Sequence, residues 1–272
     1  MSVRVEVLGP LQVQVDGTNT PIGGPKARAV LAALAARAGQ ACSVDELAEE
    51  VWGETPPSNA RNSLQSHVSR LRNVLADPER IRFAEDRYTL ELKVNELDAH
   101  AVEIGLEGVR GAAARSDWAE VTTNARSLLE LWRGRPFDGF EDVPTARNWA
   151  ARLEETRVVL AELLVEGLLA QDRLEEALIE LSSLTDEHPW REGLATRQAL
   201  CLYRSGRQTE ALQALQDFRT NLIEATGLDP TATITDLETA ILTHDPELDA
   251  KVAIELPGAP FPADLERLAA MP

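Results

Sequence analysis

Within its first 92 residues the chain changes its apolar spacing twice, and no single-class fold accommodates that. Val3, Val5 and Val7 alternate with Arg4 and Glu6, and beyond Gly9-Pro10 Leu11, Val13 and Val15 alternate with Gln12 and Gln14. A period of two on both sides of a turn, closed by Asp16-Gly17, predicts a hairpin. Gly23-Gly24-Pro25 then opens a helix, with proline suited to the first helical position, and Ala27, Val30, Leu31 and Leu34 give it an apolar face up to Gly39. Ser43-Val44-Asp45-Glu46 is a capping box that starts a short second helix burying Val44, Leu47 and Val51 and stopping near Trp52-Gly53. After Pro56-Pro57-Ser58 a longer helix is predicted from about Asn59 to Leu75, where Leu64, Val68, Leu71 and Leu75 recur at helical spacing. Asp77-Pro78 breaks it, and residues 81–92 return to two short strands around a polar turn. Hairpin, three helices, hairpin is the order of a winged helix-turn-helix.

From Asp98 the periodicity is helical almost throughout. Leu106 and Val109, then Trp118, Val121, Ala125, Leu128 and Trp132, mark two helices. A Gly- and Pro-containing loop over 133–140 follows, then a long helix through Trp149, Leu153, Leu160, Leu163 and Leu164. Asp172-Arg173-Leu174-Glu175-Glu176-Ala177-Leu178 is echoed by Gly206-Arg207-Gln208-Thr209-Glu210-Ala211-Leu212, a shift of 34 residues and the tetratricopeptide period. The expected class is mainly α with a small β component: an N-terminal winged helix-turn-helix over 1–95, an all-α tetratricopeptide-like helical domain over 98–245, and a Pro-rich tail or linker over 246–272. That tail leaves room for a further unit behind it.

Charge divides along the same line. Of a formal −18, residues 1–97 carry only −2, with 11 Lys/Arg against 13 Asp/Glu, so the acidity belongs to the remainder. In the helix predicted from about Asn59 to Leu75 the pattern is sharper, since no Asp or Glu occurs from Thr55 to Ala76 in a chain with 45 of them. Opposite its apolar stripe lie Asn62, Ser66, Ser69, Arg70 and Asn73, flanked by Arg72 and Gln65. Arginine can bond guanine N7 and O6 in pairs, Asn or Gln can do so to adenine, and Ser can reach phosphate. A solvated amphipathic helix can carry the same pattern. The capped helix before it and the hairpin after it favour a helix that lies in a DNA major groove.

Residues 1–92 resemble the winged-helix output domain of response regulators. Leu8-Gly9-Pro10-Leu11, Pro25-Lys26-Ala27-Arg28-Ala29-Val30-Leu31 and Ser66-His67-Val68-Ser69-Arg70-Leu71-Arg72, with Val51-Trp52-Gly53 ahead of the last, narrow the resemblance to the Streptomyces antibiotic regulatory protein family. The helical part is similar to that family's bacterial transcriptional activation domain. It carries Leu131-Trp132-Arg133-Gly134, His188-Pro189-Trp190-Arg191-Glu192, Tyr203-Arg204-Ser205-Gly206-Arg207-Gln208, Glu210-Ala211-Leu212 and Gly227-Leu228-Asp229-Pro230 in the family's order. The resemblance covers about residues 3–243. It implies an activator that binds direct repeats in double-stranded promoter DNA, as a homodimer or as tandem protomers, and recruits RNA polymerase holoenzyme to secondary-metabolite or related genes. It also implies groove- or phosphate-facing roles for Asn62, Ser63, Ser66, Ser69, Arg70 and Arg72, a backbone contact for His67, and an indole donor at Trp52.

The wing departs from that family. Arg87-Tyr88-Thr89-Leu90 stands where Gly-Tyr-Arg-Leu is usual, so Thr89 takes the place of the minor-groove arginine. Arg87 is read as lying one residue early, and one residue in a strand is expected to change the face it occupies. Glu85 and Asp86 add negative charge at the same tip. The expected wing contact is weak or altered, from Arg87 or Arg82. The alternative reading is a helical-repeat interaction or sensor module whose winged helix has degenerated.

Catalytic signatures are missing from the sequence. Gly23-Gly24-Pro25-Lys26 lacks the GxxxxGK[ST] spacing of a phosphate loop, and Pro25 removes an amide such a loop needs. His67, His100, His188 and His244 are scattered, and Cys42 and Cys201 form no CxxC pair, so no metal site, disulfide framework or cofactor motif can be assembled. The start of the chain shows no signal-peptide block, and no apolar run approaches the roughly 18 residues of a membrane span. A non-enzymatic cytoplasmic protein with no cofactor and no membrane partner is expected.

Overall fold

The computed structural model describes residues 2–249. It opens on an antiparallel sheet of β1 (Val3–Glu6), β2 (Gln12–Val15) and β3 (Thr18–Asn19). Val3 pairs with Val15 and Glu6 with Gln12, as the alternation requires. Asp16 and Gly17 both have positive φ and make the tight turn into β3, a two-residue strand too short to announce itself by period.

Helix α1 (Pro25–Ala36) follows, then β4 (Cys42–Ser43) and α2 (Val44–Trp52). The capping box is formed: Glu46 N–H donates to Ser43 Oγ at 3.2 Å, and Ser43 N–H to Glu46 Oε2 at 2.7 Å. Helix α3 (Ala60–Val74) buries Leu64, Val68 and Leu71 against α1 and α2. A short 3-10 turn at Pro78–Arg80 leads to β5 (Ile81–Ala84) and β6 (Arg87–Leu90), which form a sheet in the order β4-β6-β5. These elements form the winged helix-turn-helix.

The helical region comprises α4 (Asp98–Ala114), α5 (Trp118–Leu129), α6 (Pro144–Ala170), α7 (Leu174–Glu187), α8 (Glu192–Arg204), α9 (Gln208–Thr226) and α10 (Ala232–Thr243). Among the described residues no helix is long and apolar enough to cross a membrane. Among the described residues two compact units result, one of residues 2–111 with 124–160, the other of 112–123 with 161–249.

In the first unit the segment after β1 is fixed from both sides. The carboxylate of Asp98, only 2% exposed, accepts the amides of Val7 at 2.8 Å and Leu8 at 3.1 Å. The carbonyls of Val7 and Leu8 in turn accept Phe137 N–H at 2.8 Å and Arg133 N–H at 2.7 Å. Gly9, at φ +147°, lies so close to Arg133 that a Cβ would stand 3.0 Å from its Cβ and 3.2 Å from its carbonyl carbon. A second tie comes from α2: Glu50 Oε2 accepts the Thr145 amide at 3.1 Å and its hydroxyl at 2.9 Å, capping the start of α6. Trp132, expected on a helix, lies beyond the end of α5. Its amide and that of Leu131 close tight i−3 bonds to Leu129 and Leu128 as the chain turns toward Leu8.

In the second unit α7 to α10 pack in succession, and the equivalent Ala177 and Ala211 are both fully buried, as close helix approach demands. Leu248, in a 3-10 turn at Pro246–Asp249, is buried in the same core. The chain is therefore still packed where the Pro-rich stretch was expected to begin. Pro257, Pro260 and Pro262 lie outside the described residues.

Candidate nucleic-acid interface

Helix α3 separates its residue types cleanly. Leu64, Val68 and Leu71 are at most 1% exposed, while Asn62, Gln65, Ser66, Ser69, Arg70 and Asn73 are exposed. Asn62, Ser66, Ser69 and Asn73 follow the i, i+4, i+7, i+11 spacing of a single stripe, with Gln65 and Arg70 beside it. The Ser66 hydroxyl donates back to the Asn62 carbonyl at 3.0 Å, which commits its proton and leaves its oxygen as an acceptor. Arg70 has no hydrogen bond or ion pair among the described residues. The stripe is thus neutral or cationic along its length and combines donors with acceptors, as base edges require.

Three predicted residues of α3 are half buried: Ser63, His67 and Arg72. Arg72 does not point outward. Its Nε and Nη2 donate to the Ile81 carbonyl at 3.0 and 2.6 Å, so the guanidinium ties α3 to the first strand of the wing. The expected phosphate-facing role is corrected accordingly, because a planar fork bonded to one carbonyl holds two elements in register. His67 has a buried Nδ1 without a hydrogen-bond partner among the described residues. Burial, then the nearby Arg70 and Lys26, push its pKa down and favour the neutral imidazole.

Trp52, half buried at the end of α2, lies 6.5 Å from the His67 ring with Lys26 Nζ 5.9 Å from its own centroid. Lys26 also donates to the Val51 carbonyl at 2.6 Å, placing a cation at the C-terminal end of α2. Nothing in the spacing of the sequence links residue 26 to 51 and 67; the helix-turn-helix packing brings them together.

In the wing Glu85 and Asp86 both have positive φ, as a two-residue hairpin turn demands. Register places Phe83 opposite Tyr88, their rings 4.7 Å apart, and Ile81 opposite Leu90. Arg82 opposite Thr89 and Ala84 opposite Arg87 form the other face. The expected change of face at Arg87 is therefore corrected. Arg87 precedes Thr89 by two residues, so the two share a face, and Arg82 shares it with them. Arg87 is exposed and lies 3.9 Å from Glu46, and Arg82 lies 3.7 Å from Glu91. Asp86 is paired by Arg61, at the start of α3, through two hydrogen bonds of 2.6 and 2.7 Å.

Away from this surface, burial pushes the thiols of Cys42 and Cys201 up to about 11, leaving little thiolate at neutral pH.

A helix-turn-helix presenting an acid-free polar stripe, followed by a two-stranded wing and by stacked helical pairs, defines a winged-helix transcription regulator. A family model described as the bacterial transcriptional activator domain matches residues 97–242, and one described as the C-terminal part of transcriptional regulatory proteins matches residues 20–86. The chain is 37% identical over 251 residues to the transcriptional regulatory protein EmbR of Mycobacterium tuberculosis, covering 90% of this chain and 64% of EmbR. It is 33% identical to the regulatory protein DnrI of Streptomyces peucetius, covering 91% and 94%, and 36% identical to AfsR of Streptomyces coelicolor, covering 91% and 25%. The solved structure of M. tuberculosis EmbR in complex with a low-affinity phosphopeptide matches with a TM-score of 0.86 at 33% identity, over 91% of this chain and 68% of that one. The chain belongs to the Streptomyces antibiotic regulatory protein family of transcriptional activators.

Proposed function

We propose that this protein binds direct repeats upstream of a promoter through α3 and recruits RNA polymerase, acting on secondary-metabolite or related genes by binding alone and without catalysis. The observation that carries the proposal is the exposed stripe of α3, which holds Asn62, Ser66, Ser69, Arg70 and Asn73 and no carboxylate, in a chain of net charge −18. A carboxylate there would repel phosphate, and Arg, Asn and Ser suit base edges and backbone. Ser63, His67 and Trp52 line the inner border of the stripe. Arg87 and Arg82 supply cations from one face of the wing. Same-direction repeats imply two protomers side by side on DNA.

The test is selection of genomic fragments by the intact protein, followed by footprinting and titration at two salt concentrations. Arg70→Ala is expected to weaken specific binding by roughly 1–3 kcal/mol and to relax preference at one base position. A protein that retains no fragment near physiological salt and shows no sequence preference would instead support the interaction-module reading, which the acidic helical region favours.

A further inference from the structure

We infer that Arg61 is a DNA-phosphate contact held in reserve by Asp86, and that this pair at the wing tip limits how tightly the protein grips any duplex. The inference rests on the DNA-binding reading above. Arg61 and Asp86 form a bidentate pair at 2.6 and 2.7 Å, yet each side chain is 52% exposed. The pair is exposed and screened by salt, so even in its bidentate geometry the partner is exchangeable. A phosphate offers the guanidinium the same two-oxygen geometry as the carboxylate.

Position makes the exchange pertinent. Arg61 immediately precedes Asn62, the first residue of the exposed stripe, and lies in the first turn of α3. That turn carries no acid, and its N-cap Asn59 makes no side-chain capping bond. The cation that Arg61 adds at this end of the helix is balanced from outside the helix, by Asp86. Asp86 is fixed in a turn at φ +61°, whereas Arg61 has a long flexible stem. When a duplex lies along the stripe, Arg61 can swing to phosphate and Asp86 cannot withdraw. Exchange would leave a bare carboxylate facing a polyanion, so the pair stays closed on most duplexes and Arg61 is withheld from phosphate. Asp86 thus lowers affinity for every sequence alike, and base contacts along the rest of α3 gain relative weight.

The experiment measures binding of the intact protein to a scrambled-sequence duplex by anisotropy at 50 and 200 mM salt. Asp86→Asn is expected to bind more tightly than wild type at 50 mM and to steepen the dependence of log affinity on log salt by about 0.9. Its advantage would then shrink about 3.5-fold between the two concentrations. In the Arg61→Ala background the added slope should vanish. Asp86→Ser, which also removes the charge, should behave as Asp86→Asn does, and circular dichroism confirms that each variant is folded. Equal or weaker binding by both Asp86 variants, or the same added slope without Arg61, overturns the inference while leaving the DNA-binding reading in place. A wild-type protein that binds no duplex at 50 mM overturns both.

Discussion

Replacing Asp98 with alanine removes the acceptor of two long-range amides that have no access to water, besides that of its neighbour Ala99. Val7 and Leu8 are both 0% exposed, and the Asp98 carboxylate takes their N–H groups at 2.8 to 3.1 Å. Each orphaned buried donor costs roughly 1–3 kcal/mol. Arg133, 3.7 Å from Asp98, keeps the Pro10 carbonyl and Glu6 as partners and adds little to the loss. Relief of a buried charge offsets part of it, so Asp98→Ala should destabilise by about 2–4 kcal/mol and Asp98→Asn, which keeps one acceptor oxygen, by about half as much. Urea unfolding followed by tryptophan fluorescence and far-UV circular dichroism measures both. A loss below about 0.5 kcal/mol for the alanine variant would refute the role of Asp98 as the amide acceptor. Protonation gives a second signature. Burial pushes the Asp98 carboxyl up, against the pull of the Val7 and Leu8 amides, Arg133 and the Ala99 amide. A carboxyl raised in the folded state stabilises most below its unfolded pKa and loses that contribution as pH climbs through the folded value. The stability difference between wild type and Asp98→Asn should therefore shrink as pH rises from about 3.5 toward neutrality. A difference that grows with pH would mean that the amides outweigh burial.

Arg72→Ala should cost about 1–2 kcal/mol by stripping the Ile81 carbonyl of its guanidinium donors, and should weaken DNA binding without changing its salt slope; a slope reduced by about one would restore Arg72 as a phosphate contact. His67, whose pKa is pushed down in the fold, contributes stability that is present above its unfolded value near 6.5 and lost as pH falls through the folded one. The urea midpoint of wild type should thus drop between pH 7 and 5 more than that of His67→Gln, and parallel drops would contradict the burial argument. A fragment of residues 1–95 lacks Asp98, Arg133 and Thr145, so its thermal transition should be lower and broader than that of residues 1–160. Equal melting curves would show that the winged helix needs none of those partners.

Local rules made much of this molecule legible. The capping box at Ser43 and Glu46, the apolar stripe of α3 and the alternation of β1 and β2 each concern residues within a few positions of one another, where periodicity and turn chemistry act directly. The equivalence of Ala177 and Ala211 was likewise readable as a repeat, because close helix packing selects a small side chain at both. Strands β3 and β4, of two residues each, carry no period. The helical wheel gave Arg72 its angle but not its reach, since the carbonyl it bonds lies nine residues on and beyond a break. Asp86 could be seen to add charge at the wing tip, but its partner Arg61 lies 25 residues away on another element, and no spacing rule joins them.

The long-range ties also explain why the motifs behind the resemblance occur together. Leu8-Gly9-Pro10-Leu11 and Leu131-Trp132-Arg133-Gly134 lie more than 120 residues apart, yet in the first unit they form a single joint. Arg133 donates its amide to the Leu8 carbonyl and its Nη1 to the Pro10 carbonyl, and Gly9 has no room for a side chain against it. Asp98 closes the same segment from the amide side, and Glu50 joins α2 to the first turn of α6. One tie holds the sheet ahead of the helix-turn-helix and the other holds its first helix. Neither can slip without unpairing buried polar groups, so the start of α6 and the helix-turn-helix are held to one frame. Within the first unit, the position of the winged helix therefore also fixes where the start of α6 stands.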